Sequence, residues 1–161
     1  MDELARWLGQ QLDEDEQIAR AAVESVGLVP GAVNWQLDES ASDEGGHYWR
    51  ITTLAPNDTV PTVELVGSGM QGGGVHEEAL GQHIVAHDPA RVLREIDAKR
   101  RTLERHSPHS SGTVDCSIHC ERTHPGVPVC NHDGRRWPCP DVLDLTAGYA
   151  DRPGFKESWR P

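Results

Sequence analysis

The sequence predicts an α+β fold, and three observations indicate it. Residues 2–25 repeat apolar side chains at helical spacing, as an amphipathic helix does. Residues 28–66 hold short runs of β-branched and aromatic residues separated by turn-forming ones. Asp88 and Pro89 then form the start signal of a second long helix. Only 36% of the 161 residues are hydrophobic and 5% aromatic, so we expect a lean apolar core.

The N-terminal helix is predicted over residues 2–25. Asp2 is placed to cap its first turn, and Gly27 follows as a stop signal. The residues expected on its buried stripe are Leu4, Trp7, Leu8, Leu12, Ile18, Ala19, Ala22 and Val23.

A small antiparallel sheet is predicted next, with three short strands. Val33, Trp35 and Leu37 alternate with polar residues, and residues 47–54 (HYWRITTL) are rich in strand-forming residues. The acidic segment 38–46 suits the hairpin loop between these two strands. Residues 60–66 form the third strand, and Pro61 marks it as an edge strand.

A central helix pair follows, over residues 76–87 and 89–106, with Asp88 as the N-cap of the second helix. Val92, Leu93, Ile96 and Leu103 form its apolar stripe, and the basic residues at its C-terminal end complement the helix dipole.

The four cysteines of the chain lie together in one short segment, at Cys116, Cys120, Cys130 and Cys139. Tetrahedral Zn²⁺ takes four nitrogen or sulfur ligands, and short spacers let one loop supply two of them. We therefore predict one structural Zn²⁺ ion held by these four residues. Cys116 and Cys120 have the spacing of a ligand pair, whereas the second pair is wider than in a zinc ribbon. His106, His119 and His132 each remain an alternative to one of the cysteines.

The chain is expected to form an α+β core over residues 1–106 and a Cys/His metal-binding segment with a C-terminal tail over 107–161, both in one domain. Tyr149, Phe155 and Trp159 make this tail aromatic, so we expect it to dock on the core. The metal would close the C-terminal loop as a staple, because metal binding free energy becomes folding free energy.

The net charge of −11 is unevenly distributed. Residues 1–80 hold 15 acidic and three basic residues, whereas residues 81–161 hold 11 acidic and 12 basic ones. An acidic half repels nucleic acid. The sequence shows neither a signal-peptide pattern nor a membrane-spanning apolar run, so we expect a cytoplasmic protein. Thiols stay reduced in that compartment, which favours metal ligands over disulfides.

Four motifs resemble those of an uncharacterised family of small proteins from actinobacteria and their phages, one of the families classed as domains of unknown function. They are LDEDEQIARAA (12–22), HDPARVLREIDAKRR (87–101), WPCP (137–140) and YADRPGFKESWRP (149–161). The resemblance implies no established activity. It implies that the Cys/His segment is a family feature, because similar members place a His at the position of His106 and a cysteine at that of Cys139. Some similar members lack the cysteines, which argues for a structural metal and against a catalytic one.

Three functional hypotheses follow, and none assigns a catalytic residue. The leading hypothesis is a non-enzymatic interaction or accessory protein with structural zinc and a protein partner. One form of it is a phage-encoded protein acting on a host component. The alternative is a metal-dependent hydrolase, which needs an open metal position. A further alternative is nucleic-acid binding through the basic residues of the second long helix, which are Arg91, Arg94, Arg100, Arg101 and Arg105.

Overall fold

The computed structural model describes residues 2–25, 34–41, 47–54, 64–66, 75–109 and 128–161. The α+β class is confirmed, with an N-terminal helix, two small antiparallel sheets and four α-helices over these residues. The helices are α1 (Glu3–Ser25), α2 (Glu78–Ala86), α3 (Pro89–Arg105) and α4 (Pro140–Ala147), and a 3-10 helix spans Glu157–Trp159. The strands are β1 (Trp35–Ala41), β2 (His47–Thr53), β3 (Glu64–Val66), β4 (Pro108–His109) and β5 (Val129–Cys130).

The chain divides into two compact units. A terminal unit comprises residues 1–14 and 96–161, and a central unit comprises residues 15–95. The boundaries between the units fall within α1 and α3. Among the described parts of the chain, no helix is long and apolar enough to cross a membrane.

Helix α1 begins as predicted. The Leu4 N–H donates to Asp2 Oδ1 at 3.0 Å, so Asp2 satisfies one of the free amides of the first turn. Leu4, Leu8 and Leu12 are buried in the terminal unit at the spacing of one helix face. The prediction was wrong for Ile18, whose surface is 67% exposed. Ala19, the next residue of the predicted stripe, is buried in the central unit as expected, whereas Ile18 borders an open groove of that unit.

The sheet of the central unit has the order β1-β2-β3, and both pairings are antiparallel. Leu37 is paired with Ile51, which is fully buried. Helix α2 packs closely on β1, because a Cβ atom at Gly81 would lie 2.5 Å from Leu37 Cδ1. Segment 38–46 was predicted as a loop, but β1 continues to Ala41, and residues 42–46 lie outside the described part. Residues 60–63 of the predicted third strand also lie outside it.

Helix α3 begins at Pro89, as the sequence predicts. Asp88 Oδ1 accepts the Arg91 N–H at 2.7 Å, which is the N-cap hydrogen bond. The other oxygen, Oδ2, accepts the Trp35 N–H at 3.4 Å, so the same carboxylate also ties β1 to the start of α3. Asp88 is buried, and both of its oxygens therefore have protein partners.

In the terminal unit, the C-terminal residues pack around Trp7. The Trp7 Nε1–H donates to the Pro153 carbonyl at 3.0 Å, and its ring centroid lies 5.2 Å from that of Trp159. Phe155 lies 5.9 Å from the same ring. Gly154 makes the turn at a φ of 84°, in the left-handed region that favours glycine.

Candidate metal centre

Three chain segments of the terminal unit converge on one buried cluster. His106 directly follows α3, and its N–H donates to the Thr102 carbonyl at 3.0 Å as if the helix continued. Cys130 ends β5, which pairs with β4 just beyond His106. Cys139 directly precedes α4. The ends of two helices and a two-stranded sheet therefore position the three side chains.

The three side chains have the geometry of a metal site. His106 Nδ1 lies 3.3 Å from Cys139 Sγ and 3.4 Å from Cys130 Sγ. Within the described ranges, His106, Cys130 and Cys139 form a group whose ligand atoms all lie within 4.8 Å of one another. Tetrahedral Zn²⁺ with ordinary Zn–N and Zn–S bond lengths separates its nitrogen and sulfur ligands by about 3.5 Å. These distances match the edges of such a tetrahedron. The cluster can therefore bind a metal ion.

Water has almost no access to the cluster. Both cysteines are 0% exposed, and His106 is 3% exposed. The two sulfur atoms and the ring nitrogen therefore face one another in a space that water hardly reaches. A cation among them would satisfy all three lone pairs at once.

The turn after Cys130 directs backbone amides at its sulfur. The N–H groups of His132 and Asp133 hydrogen-bond to the Cys130 side chain. The turn closes as the Gly134 N–H donates to the Cys130 carbonyl at 3.0 Å, and Gly134 has a φ of 67°. Amide donors aimed at sulfur stabilise a thiolate, which is the form that binds metal.

The pKa of Cys130 shows why a cation matters at this position. Burial raises the pKa of the Cys130 thiol to about 11, and the amide hydrogen bonds from Asp133 and His132 oppose this rise only in part. Hydrogen bonds with the Asp133 carboxylate and with Cys139 raise it further. A bound metal ion would instead favour the thiolate form of Cys130, because a coordinating thiol is deprotonated outright.

Cys139 is the N-cap residue of α4, and Pro140 occupies the first helical position. The N–H groups of Val142 and Leu143 both donate to the Cys139 carbonyl at 3.1 Å. The start of α4 therefore fixes the backbone of Cys139 at the cluster.

Two further side chains surround the His106 ring. Asp141 Oδ2 lies 3.6 Å from Nε2, on the opposite side of the ring from the sulfurs. Metal-bound histidines usually direct their second nitrogen at a carboxylate or carbonyl, which fixes the ring orientation. The His132 ring lies 4.6 Å from the His106 ring, centroid to centroid, but His132 is not a member of the ligand group.

The predicted ligands fall into three sets. Cys130 and Cys139 are in the cluster, and His106, an alternative ligand in the sequence, joins them. His132 lies beside the cluster, whereas Cys116, Cys120 and His119 lie outside the described residues. The clustering of cysteines gave no weight to His106, which is 24 residues before Cys130. The family resemblance already indicated His106, and its position at the end of a predicted helix is a further signal that could have ranked it higher.

A family model matches the chain over residues 1–161, and its description is "Family of unknown function (DUF6221)". No curated protein and no solved structure matches the chain.

Proposed function

Because the chain belongs to DUF6221, a family of unknown function, we propose its function from the cluster itself: this is a zinc-binding protein whose Zn²⁺ is structural. Its cellular role is then that of a non-enzymatic interaction or accessory protein. The observation that carries the proposal is the separation of His106 Nδ1 from the two sulfurs, 3.3 and 3.4 Å, in a site without solvent.

Zinc fits this donor set better than the common alternatives. Mg²⁺ and Ca²⁺ prefer oxygen ligands, whereas two thiolates and an imidazole are soft to borderline donors. Zn²⁺ is redox-inert and takes tetrahedral Cys/His sites in structural proteins. The three donors found here are three of the four that a Cys₃His site requires.

The fourth ligand in this proposal is Cys116 or Cys120. The segment that carries them, 110–127, joins β4 to β5, and both of these strands lie at the cluster. His109 and Val129, which are described on either side of this segment, therefore pair with each other next to the cluster. A thiolate from this segment would complete a closed tetrahedral site with no position for substrate.

The structural role follows from the three elements of secondary structure that the proposed donors join. His106 ends α3, Cys130 ends β5 and Cys139 begins α4, so one ion would cross-link three elements of the terminal unit. A bound ion would add its binding free energy to the folding free energy of this unit.

The first test is the zinc content of the purified protein, measured by elemental mass spectrometry together with thermal unfolding. We expect about one zinc per chain, as a single tetrahedral site holds. Cys130→Ser and Cys139→Ser are expected to lose zinc and stability. Cys116→Ser and Cys120→Ser form a matched pair, in which the variant that loses zinc identifies the fourth ligand. Absence of zinc from protein purified without chelator would overturn the proposal.

A metal-dependent hydrolase is the second candidate, and one observation favours it. The donors found are two cysteines and one histidine, a set that also occurs in catalytic zinc sites with an open fourth position. The two candidates differ in the spectrum of the Co²⁺-substituted protein. A closed site leaves this spectrum unchanged when azide is added, whereas an open position binds the anion and shifts it. Retention of zinc in both Cys116→Ser and Cys120→Ser would also favour the open site.

A further inference from the structure

The central unit contains an open groove of about 340 Å³. Four of its lining residues come from α1, of which Ile18, Ala19 and Ala22 are apolar, and the others include Trp35, Pro89 and Val92. Asp15 and His87 complete the lining. The volume is at the lower end of the roughly 300–1,000 Å³ range of ligand pockets, and it is large enough for an apolar side chain of a partner.

Ile18 is the most exposed large apolar residue that the structure describes. It lies on the same helical stripe as the buried leucines of α1, yet 67% of its surface is open to solvent. An isolated exposed apolar residue is ordinary, but one that lines an apolar groove marks a place where a partner can bury its own apolar side chain.

The charge of the central unit restricts the chemistry of that partner. Residues 15–95 hold 13 acidic and four basic residues, a net charge of −9 out of the −11 of the whole chain. Three of the four arginines are already in ion pairs with acids of the same unit: Arg20 with Glu16, Arg50 with Glu64 and Arg91 with Glu95. The groove therefore lies in a strongly negative unit and has a carboxylate, Asp15, in its own lining.

From the groove and this charge together, we propose that the groove binds a cationic amphipathic helix of a partner protein. One apolar side chain of the helix enters between Ile18 and Trp35, and its lysines and arginines complement the net negative charge of the central unit. A second copy of the chain carries the same negative charge and would be repelled, as would nucleic acid and anionic membranes. The inference rests on the proposed interaction role but not on the metal.

The probes are three synthetic peptides of about 20 residues, above the length at which isolated helices are marginal in water. They share one leucine stripe and carry lysine, glutamine or glutamate at all the remaining positions. Binding is measured by fluorescence anisotropy at about 150 mM salt, where weak nonspecific attraction is screened. The lysine peptide is expected to bind at least about tenfold more tightly than the glutamine peptide, and the glutamate peptide not at all.

Two variants locate the binding. Ile18→Ser removes the apolar wall of the groove and should weaken binding of the lysine peptide by about tenfold or more. Leu80→Ser is the matched control, because Leu80 is 54% exposed in the same unit but does not line the groove, and it should leave binding unchanged. Zinc content should be unchanged in both variants, which separates this test from that of the metal centre.

Three outcomes would overturn the proposal. The first is no binding of the lysine peptide. The second is equal weakening by Ile18→Ser and Leu80→Ser, since binding would then be nonspecific attraction to an acidic protein. The third is a concentration-dependent dimer in sedimentation velocity that Ile18→Ser dissociates, which would assign the groove to a second copy of the chain.

Discussion

His106 Nδ1 and Cys139 Sγ lie 3.3 Å apart, although 32 residues separate them in the chain. The contact joins the residue that follows α3 to the residue that precedes α4, and both side chains are buried. A bound ion would convert this contact into two coordinate bonds. Substitution of His106 is therefore expected to affect metal binding as substitution of either cysteine does.

His106→Ala is predicted to remove a zinc ligand, whereas His132→Ala is predicted to remove only a neighbour. The two rings lie 4.6 Å apart, so the pair tests ligation rather than the presence of an imidazole in this region. Outer-shell changes usually weaken metal binding by about 10–100-fold. Competition with a chromophoric chelator should show a larger loss for His106→Ala and a loss no greater than that range for His132→Ala. The reverse order would place His132 in the site.

Asp141→Asn is predicted to weaken zinc binding by about tenfold, because the carboxylate on the Nε2 side orients the His106 ring. Asp144→Asn is the control, since Asp144 is also exposed on α4 but has no contact with His106 among those described. The same chelator competition measures both variants. Equal affinities in the two variants would mean that Asp141 does not act on the metal through His106.

Gly154→Ala is predicted to destabilise the protein by about 1–3 kcal/mol, because alanine is strained at this backbone conformation. Gly154 has a φ of 84°, and a Cβ atom there would lie 3.0 Å from Trp7 Nε1. Gly148→Ala is the matched control: its φ of −63° suits alanine, and its nearest neighbour lies 3.7 Å away. Urea unfolding should show a lower midpoint for Gly154→Ala only. A stable Gly154→Ala variant would contradict the packing of the turn on Trp7.

Glu157 is predicted to titrate below its usual pKa of 4.5, because hydrogen bonds from Arg160 and the charge of that residue lower its pKa. The folded-state pKa is depressed, so the stabilisation is present above the unfolded value and is lost as pH falls through the folded one. Carboxyl chemical shifts in an NMR titration measure the pKa directly. Arg160→Gln should return it towards 4.5, and Arg152→Gln should leave it depressed. A normal Glu157 pKa in the wild-type protein would contradict the ion pair.

Local signals predicted the helices well. The spacing of Leu4, Leu8 and Leu12 and the capping residues Asp2 and Asp88 act over one or two turns, so they can be read without knowledge of the tertiary structure. The spacing could not show that Ile18 is exposed, since this depends on what packs over the later turns of α1. Strands β4 and β5 have two residues each, too few for a periodic pattern.

The candidate site was predictable only in part for the same reason. Cys130 and Cys139 are close in sequence and stood out as cysteines, but His106 reaches them only through the end of α3 and the pairing of β4 with β5. The groove could not be predicted either. Its lining comes from residues 15–22, 35 and 87–92, which no sequence window contains together.

The pairing of β4 with β5 has a consequence for the evolution of chain length. Pro108 is paired with Cys130 and His109 with Val129, so the ladder fixes both ends of the intervening segment. Closing a longer loop costs little, about 0.6 kcal/mol for each doubling of its length. Insertions between residues 110 and 127 should therefore leave the relative position of His106 and Cys130 unchanged. The eight residues between Cys130 and Cys139 include the turn whose amides donate to Cys130 and the buried Trp137. An insertion in this segment would increase the distance between the two sulfur atoms.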